Sequence, residues 1–304
     1  MLIEALATEP AFFVGSCLLL GLLVGSFLNV VIHRVPIMLE REWRAECAEL
    51  AADAGAAAAA VPPPATERFN LIVPRSACPK CRAPITALQN IPIVSYLVLK
   101  GRCAACGNPI SARYPLVEAV TGLASAAVAW KFGFGWAALA ALVITWFLIA
   151  LTCIDLDHML LPDNLTLPLL WLGLAASLAA PLPGQPAIPV DMRSSIIGAL
   201  AGYLSLWSIY HLFRLATGKE GMGYGDFKLL AALGAWLGWQ MLLPIVLTSA
   251  AVGAVVGITV LAVRGRDRRT PIPFGPFLAA AGWLMLLYGH ELVDRYLGLF
   301  GPRT

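Results

Sequence analysis

The chain has 304 residues, of which 59% are hydrophobic and 13% charged, with a formal net charge of +3 at pH 7 and a mean hydropathy of +0.78. This composition is far more apolar than that of a soluble domain, so it excludes a soluble enzyme and predicts an all-α polytopic membrane protein. A transmembrane helix needs about 20 apolar residues. We predict about eight such helices, at 11–32, 114–130, 136–154, 164–181, 195–213, 227–240, 241–263 and 272–289.

The charges beside the first apolar run predict the topology. Glu4 and Glu9 precede it without any Lys or Arg, which is the wrong flank for a cleaved signal peptide. Basic residues follow it, so the positive-inside rule predicts an outside N-terminus and, with eight spans, an outside C-terminus. We divide the chain into an N-terminal transmembrane helix at 1–33, a cytoplasmic domain at 34–113 and a seven-helix membrane domain at 114–304.

The predicted cytoplasmic domain contains a metal-binding pattern. Residues 38–60, rich in Ala, Glu and Arg, predict a surface helix before it. Two Cys-x-x-Cys pairs then supply four thiolates, a number and spacing that suit a closed tetrahedral Zn²⁺ site. A disulfide is disfavoured in a reducing compartment, and a redox pair is disfavoured because no βαβ pattern surrounds it. We therefore predict a structural zinc site at Cys78, Cys81, Cys103 and Cys106.

One acidic residue, Glu118, lies just inside the second apolar run. The simpler interpretation is that it pairs with a neighbouring basic or amide group near the interface. The alternative is that it binds an amine of the substrate. The sequence leaves both open.

Two further acidic positions lie at the predicted cytoplasmic face. Asp226 follows a glycine-rich turn and begins the sixth apolar run, whereas Asp155 and Asp157 end the third. Residues i and i+2 of a helix point about 200° apart, so only one of the latter two can face a shared cavity, and spacing does not choose between them. Asp163 precedes the fourth run, where a helix N-cap is expected. Carboxylates at a bilayer boundary are expensive and usually functional.

Three classes of function compete for these residues. Two neighbouring carboxylates have the parts for acid–base hydrolysis of a peptide. Acids in a membrane can also relay protons in a transporter, and a zinc-loop protein can serve as a noncatalytic assembly factor. No dinucleotide fingerprint, P-loop or nucleophilic serine elbow is present, and we expect no nucleic-acid partner.

The motifs taken together resemble one family, the type IV prepilin leader peptidases, which are also N-methyltransferases. Besides the cysteine pairs, the motifs that carry the resemblance are Gly25-Ser26-Phe27-Leu28-Asn29, Asn90-Ile91-Pro92 with Ser95-Tyr96, Arg113-Tyr114-Pro115, Asp155-x-Asp157-His158 with Leu161-Pro162-Asp163, and Gly223-Tyr224-Gly225-Asp226-Phe227-Lys228. The Gly-x-Gly-Asp signature is shared with other intramembrane aspartyl proteases. The cysteine pairs are typical of the bifunctional bacterial branch.

The resemblance implies a specific activity. It implies catalysis by Asp155 and Asp226, removal of the basic leader of prepilins and type II secretion pseudopilins, and N-methylation of the new N-terminal residue from S-adenosylmethionine. It also implies a bacterial inner-membrane protein whose substrates approach through the lipid. The residues that bind the methyl donor, and the oligomeric state, are not indicated.

Overall fold

The computed structural model describes residues 2–53, 68–179, 188, 190–264 and 272–300. In these ranges the chain is helical, with no strand beyond two isolated β-bridges, which confirms the prediction of a helical protein. The α-helices of the described residues are α1 (Leu2–Thr8), α2 (Pro10–Asp53), α3 (Val94–Val98), α4 (Arg113–Phe132), α5 (Trp136–His158), α6 (Asp163–Ala176), α7 (Met192–Thr217), α8 (Tyr224–Leu237), α9 (Leu242–Arg264) and α10 (Gly275–Phe300).

Length and composition together distinguish some of these helices as candidate membrane spans. Four helical stretches of the described chain are long and apolar enough to cross a membrane: Pro10–Ala52, Trp136–His158, Met192–Thr217 and Trp239–Val260. By contrast, α6 and α8 have 14 residues each, or about 21 Å of helix, against a hydrocarbon core of about 30 Å. Length and composition therefore support four spans, and the count of eight stays a prediction.

The first long helix differs from its prediction. Instead of a span followed by a separate surface helix at 38–60, α2 runs without interruption from Pro10 to Asp53 and contains Pro36. A proline removes one helical hydrogen bond and usually kinks a helix. Here the sequence beyond it is rich in strong helix formers, and Arg44 pairs with Glu40 one turn earlier at 2.6 Å. The helix therefore continues past the proline.

The break predicted between the sixth and seventh apolar runs is confirmed. Helix α8 ends at Leu237, and Gly238 follows with a φ of +82°, a backbone conformation that favours glycine. A 3₁₀ turn at Trp239–Met241 then leads into α9.

The chain divides into two compact units, Leu18–Leu123 and Met1–Cys17 together with Ala124–Thr304. In the second unit α8 is the central helix, packed against α6, α7 and α10. The backbones of α7 and α8 approach closely because Gly198 and Gly202 of α7 lie against the backbone at Gly234 and Leu230 of α8. Burial among its neighbours allows α8 to be shorter than a lipid-facing helix.

Candidate active site and metal centre

Asp226 lies in the first turn of α8 and is only 6% exposed. Gly223 occupies the N-cap position, and the Asp226 carboxylate reaches back toward it, since a Cβ added at Gly223 would lie 3.9 Å from Oδ2 of Asp226. A side chain at the third helical position that reaches back to the N-cap amide is half of a capping box. The positive end of the helix dipole also favours a carboxylate here. The sequence therefore holds this acid by local helix-capping geometry.

Asp155 lies in the last turn of α5 and is 5% exposed, whereas Asp157 is exposed. The structure thus turns the first acid of the cluster inward and the second outward, as the angle of about 200° between them requires. Gly275, the first residue of α10, lies against the Asp155 carboxylate, because a Cβ added there would be 2.5 Å from Oδ2, and its backbone N–H is the donor near that carboxylate. A different helix therefore supplies the donor for this acid.

The two carboxylates belong to one site. Those of Asp155 and Asp226 are near enough to interact electrostatically. The side chain of Leu161 connects their surroundings, because a Cβ added at Gly225 would lie 2.7 Å from the Cβ of Leu161 and one added at Gly275 would lie 3.1 Å from its Cδ1. The ends of α5, α8 and α10 meet around this leucine.

Near the two aspartates, Asp163 has a role other than the predicted one, and Gly275 was not predicted as a site residue. Asp163 is the first residue of α6 and not its N-cap, because Pro162 occupies the cap position. The Asp163 carboxylate instead accepts hydrogen bonds from Nζ of Lys228 at 2.6 and 2.7 Å. Sequence reasoning also missed Gly275, although a glycine before Pro276, just inside the last apolar run, was an available signal for a close backbone approach.

The four predicted zinc ligands lie together. All four sulfurs are within 4.8 Å of one another, with 3.8 Å between the sulfurs of Cys78 and Cys106 and 4.0 Å between those of Cys81 and Cys103. These distances are too long for disulfides, whose sulfurs are about 2.05 Å apart. Four sulfurs placed tetrahedrally at about 2.3 Å from one zinc ion would be about 3.8 Å apart. The cluster therefore fits Zn²⁺.

Matched tight turns present these sulfurs. In the first turn the N–H of Arg82 donates to the carbonyl of Cys78, and in the second the N–H of Gly107 donates to the carbonyl of Cys103, each at 2.9 Å. Both donor residues have positive φ, +58° and +69°. The backbone N–H groups of Cys81 and Lys80 lower the pKa of the Cys78 thiol to about 6, which favours the thiolate that binds metal.

Glu118 lies in the first unit, on α4, and is 8% exposed. Its carboxylate accepts the N–H of Ile93 at 2.8 Å and a hydrogen bond from the side chain of Ser26. Gly25 allows this contact, because a Cβ there would lie 2.7 Å from the Cα of Glu118. The backbone amide of Ile93 is a partner of the kind that the simpler interpretation expects, a neighbouring amide group, and the binding of a substrate amine stays a prediction.

Apolar helices, a buried pair of interacting aspartates and a four-cysteine cluster define a helical membrane protein with a two-carboxylate centre. Comparison with known proteins supplies the family. Residues 19–132 match the family described as "Bacterial Peptidase A24 N-terminal domain", and residues 142–258 match the "Type IV leader peptidase family". The chain belongs to the type IV leader peptidase family.

Full-length relatives support the same assignment. Each relative described here is named "Prepilin leader peptidase/N-methyltransferase". That of Aeromonas salmonicida strain A449 is 55% identical over 298 residues, covering 98% of each chain. The Pseudomonas aeruginosa PAO1 protein is 52% identical over 300 residues, and the Aeromonas hydrophila protein is 54% identical over 302, each covering 99% of both chains. No solved structure matches the chain.

Proposed function

We propose that this chain removes the basic leader peptide from type IV prepilins and type II secretion pseudopilins and then N-methylates the new N-terminal residue. The relatives' shared name supports both activities. The observation that carries the proteolytic half is the buried, interacting pair Asp155 and Asp226, which lies within the matched leader peptidase region.

In the proposed mechanism Asp155 and Asp226 act as an acid–base pair. Two nearby carboxylates do not both ionise readily, so they share one proton. The ionised carboxylate takes a proton from a water molecule, and the resulting hydroxide attacks the scissile carbonyl carbon. The protonated carboxyl donates to the developing oxyanion. The tetrahedral intermediate then collapses with cleavage of the C–N bond, and the leaving amine takes up a proton, so no acyl-enzyme forms.

The second activity requires a methyl donor and a folded cytoplasmic domain. S-adenosylmethionine supplies the methyl group when bound. Structural Zn²⁺, held by Cys78, Cys81, Cys103 and Cys106, stabilises the domain that we propose shapes the methyl-transfer site. The donor set supports zinc because four thiolates in matched turns prefer a soft tetrahedral ion. We assign no residue to the methyl donor.

The proposed location is the bacterial inner membrane, with eight spans, both termini periplasmic, and the zinc domain and aspartates at the cytoplasmic face. We retain the three-part division at residues 33 and 113. Two features support this topology: the basic residues concentrate in the predicted cytoplasmic stretches, and α8 is buried by its neighbours, which suits a short helix inside a bundle.

Recognition of a basic leader needs negative charge. The predicted cytoplasmic stretch 34–113 holds more basic than acidic residues, so we propose that anionic lipid helps to bind the leader. Glu118 is the second proposed contact, with an amine of the substrate. Its contacts to Ile93 and Ser26 give it a structural role as well. If Glu118→Gln leaves KM for the leader unchanged, the structural role alone remains.

A reconstituted cleavage assay tests the function. Wild type, Asp155→Asn and Asp226→Asn are incubated with a prepilin and S-adenosylmethionine, and mass spectrometry measures leader loss and methyl addition separately. We expect both variants to lose cleavage and still methylate a pilin that has been cut beforehand. Normal cleavage by either variant would contradict the assignment of Asp155 and Asp226 as the catalytic pair. It would favour the transporter or the assembly-factor alternative instead.

A further inference from the structure

The two aspartates occupy opposite ends of their own helices. Asp226 lies in the first turn of α8, where the helix dipole favours a carboxylate, and its carboxylate lies beside the N-cap residue of the same helix. Asp155 lies in the last turn of α5, where the dipole of its own helix disfavours negative charge. A partner outside α5 must therefore hold the Asp155 carboxylate in place.

The first turn of α10 provides that partner. The first N–H groups of a helix have no partner within the helix. In α10 the second residue, Pro276, has no N–H, and the next two residues donate to the carbonyl of Phe274 at 3.0 and 3.2 Å. The N–H of Gly275 is thus the first-turn donor that remains, and Gly275 lies directly against the Asp155 carboxylate.

The contact leaves no room for a side chain at residue 275 unless the Asp155 carboxylate moves. A Cβ added at Gly275 would lie 2.5 Å from Oδ2 and 3.2 Å from Cγ of Asp155. Such distances are shorter than van der Waals contact. The φ of Gly275 is not in the left-handed region, so backbone conformation does not demand glycine here. The carboxylate of Asp155 is the closest group that excludes a side chain.

We propose that Gly275 is a positioning residue for peptide cleavage: its N–H orients Asp155, and its missing side chain lets the carboxylate reach the position where it faces Asp226. The proposal rests on the proposed function, in which Asp155 is one of the two acids. It assigns to the start of α10 the role that the N-cap of α8 has for Asp226. The dyad is then built from three helix ends.

The first test compares two alanine substitutions in α10. A Cβ at Gly282 would lie 2.5 Å from Cδ2 of Leu233, a clash of the same size with a side chain away from the aspartates. We expect Gly275→Ala to lower kcat for prepilin cleavage about 100-fold with KM within about twofold, because small displacements of a reacting group have effects of that size. Gly282→Ala should keep kcat within about threefold. Methylation of a pilin cut beforehand should be unchanged in both.

Equal kcat values for the two variants would overturn the proposal. So would a Gly275→Ala defect that appears only in KM. Wild type and Asp155→Asn are measured alongside, because failure of wild type to cleave, or normal cleavage by Asp155→Asn, contradicts the proposed function and not the positioning role.

A thermal-unfolding cycle tests the contact without any activity. Gly275→Ala should lower Tm in the wild-type chain and lower it much less in an Asp155→Ala chain, where the clashing carboxylate is gone. The same cycle with Gly282→Ala should give equal shifts in both backgrounds. If Gly275→Ala lowers Tm equally in both backgrounds, residue 275 does not act through Asp155 and the proposal is wrong.

Discussion

The aspartate pair and the cysteine cluster are built in opposite ways. Asp155 and Asp226 are distant in sequence, almost fully buried, and held by backbone N–H groups where helices begin. Of the four cysteines in the cluster only Cys78 is buried, and each Cys-x-x-Cys pair is shaped by a turn a few residues long. The aspartate pair therefore depends on the packing of several helices. The cysteine cluster depends on two local turns, and the zinc ion that we propose would join them.

The largest expected effect separates Asp155 from Asp157, two residues along the same helix. Asp155→Asn removes a buried acid, and we expect cleavage to fall by about 10³-fold or more, since general acid–base groups contribute on that scale. Asp157 is exposed, and Asp157→Asn should stay within about threefold of wild type. Steady-state cleavage of a prepilin measures both. If Asp157→Asn were the more damaging change, the choice of Asp155 as the catalytic acid would be wrong.

The second prediction separates the cysteine cluster from the aspartate pair. Cys81→Ser removes one sulfur of four, and we expect bound zinc, measured by elemental analysis, to fall from about one ion per chain to nearly none, because a structural site needs all four ligands. Methylation should be lost, whereas cleavage should fall by less than about tenfold. Cys47→Ser, an exposed cysteine outside the cluster, is the matched control and should change neither.

Parallel loss of cleavage and methylation on zinc removal would contradict this separation. It would mean that the aspartate pair also needs the folded cysteine domain. Zinc added back to a chelated wild-type sample should restore methylation, and that recovery distinguishes metal loss from irreversible unfolding.

The contrast between the two centres also explains what the sequence could predict. The grouping of the four cysteines followed from spacing alone, because the turns that shape the cluster are short and their residues adjacent. The choice between Asp155 and Asp157 did not follow from spacing. It depends on which side of α5 faces α10, and that is a property of packing. Gly275 was missed for the same reason, since its partner lies on another helix.

Two predicted helix boundaries differ from the structure because of effects of nearby residues. Asp163 was expected to cap α6, but the preceding proline takes the cap position and the carboxylate pairs with Lys228. The helix predicted at 38–60 merges with the preceding span, because high helix propensity on its C-terminal side outweighs the effect of Pro36. Residues 54–60 of that predicted helix lie outside the described residues.

The third prediction tests the packing on which Asp226 depends. A Cβ at Gly234 of α8 would collide with the backbone of α7 at Gly198, and backbone cannot rotate away. We expect Gly234→Ala to destabilise the fold by about 1–3 kcal/mol and to lower Tm. Gly257→Ala on α9 meets only ordinary van der Waals contact, 3.5 Å from Ile272, and should leave Tm unchanged or slightly higher. Equal Tm values for the two variants would show that α7 and α8 are not packed this closely.

The smallest effect is expected at Lys228, although it lies only two residues from Asp226. On α8 it points about 200° away from that acid, and its Nζ pairs with Asp163, with 28% and 52% of the two side chains exposed. An exposed ion pair contributes about 0–1 kcal/mol, so Lys228→Gln should lower Tm slightly, less so at high salt, and keep kcat within about threefold. Asp163→Asn should give the same small shift, and the double variant should add little more.

A large loss of cleavage in Lys228→Gln would contradict the conclusion that buried contacts at helix ends hold the aspartate pair. It would mean that an exposed ion pair orients the first turn of α8, so that Asp226 depends on surface charge as well as on its buried N-cap amide. We expect the opposite, because Gly223 already holds the Asp226 carboxylate through the backbone of its own helix, and a backbone donor does not change when Lys228 is replaced. Salt titration of kcat in wild type provides the independent measurement: a flat profile agrees with the buried amide as the support of Asp226, and a steep one points to the ion pair.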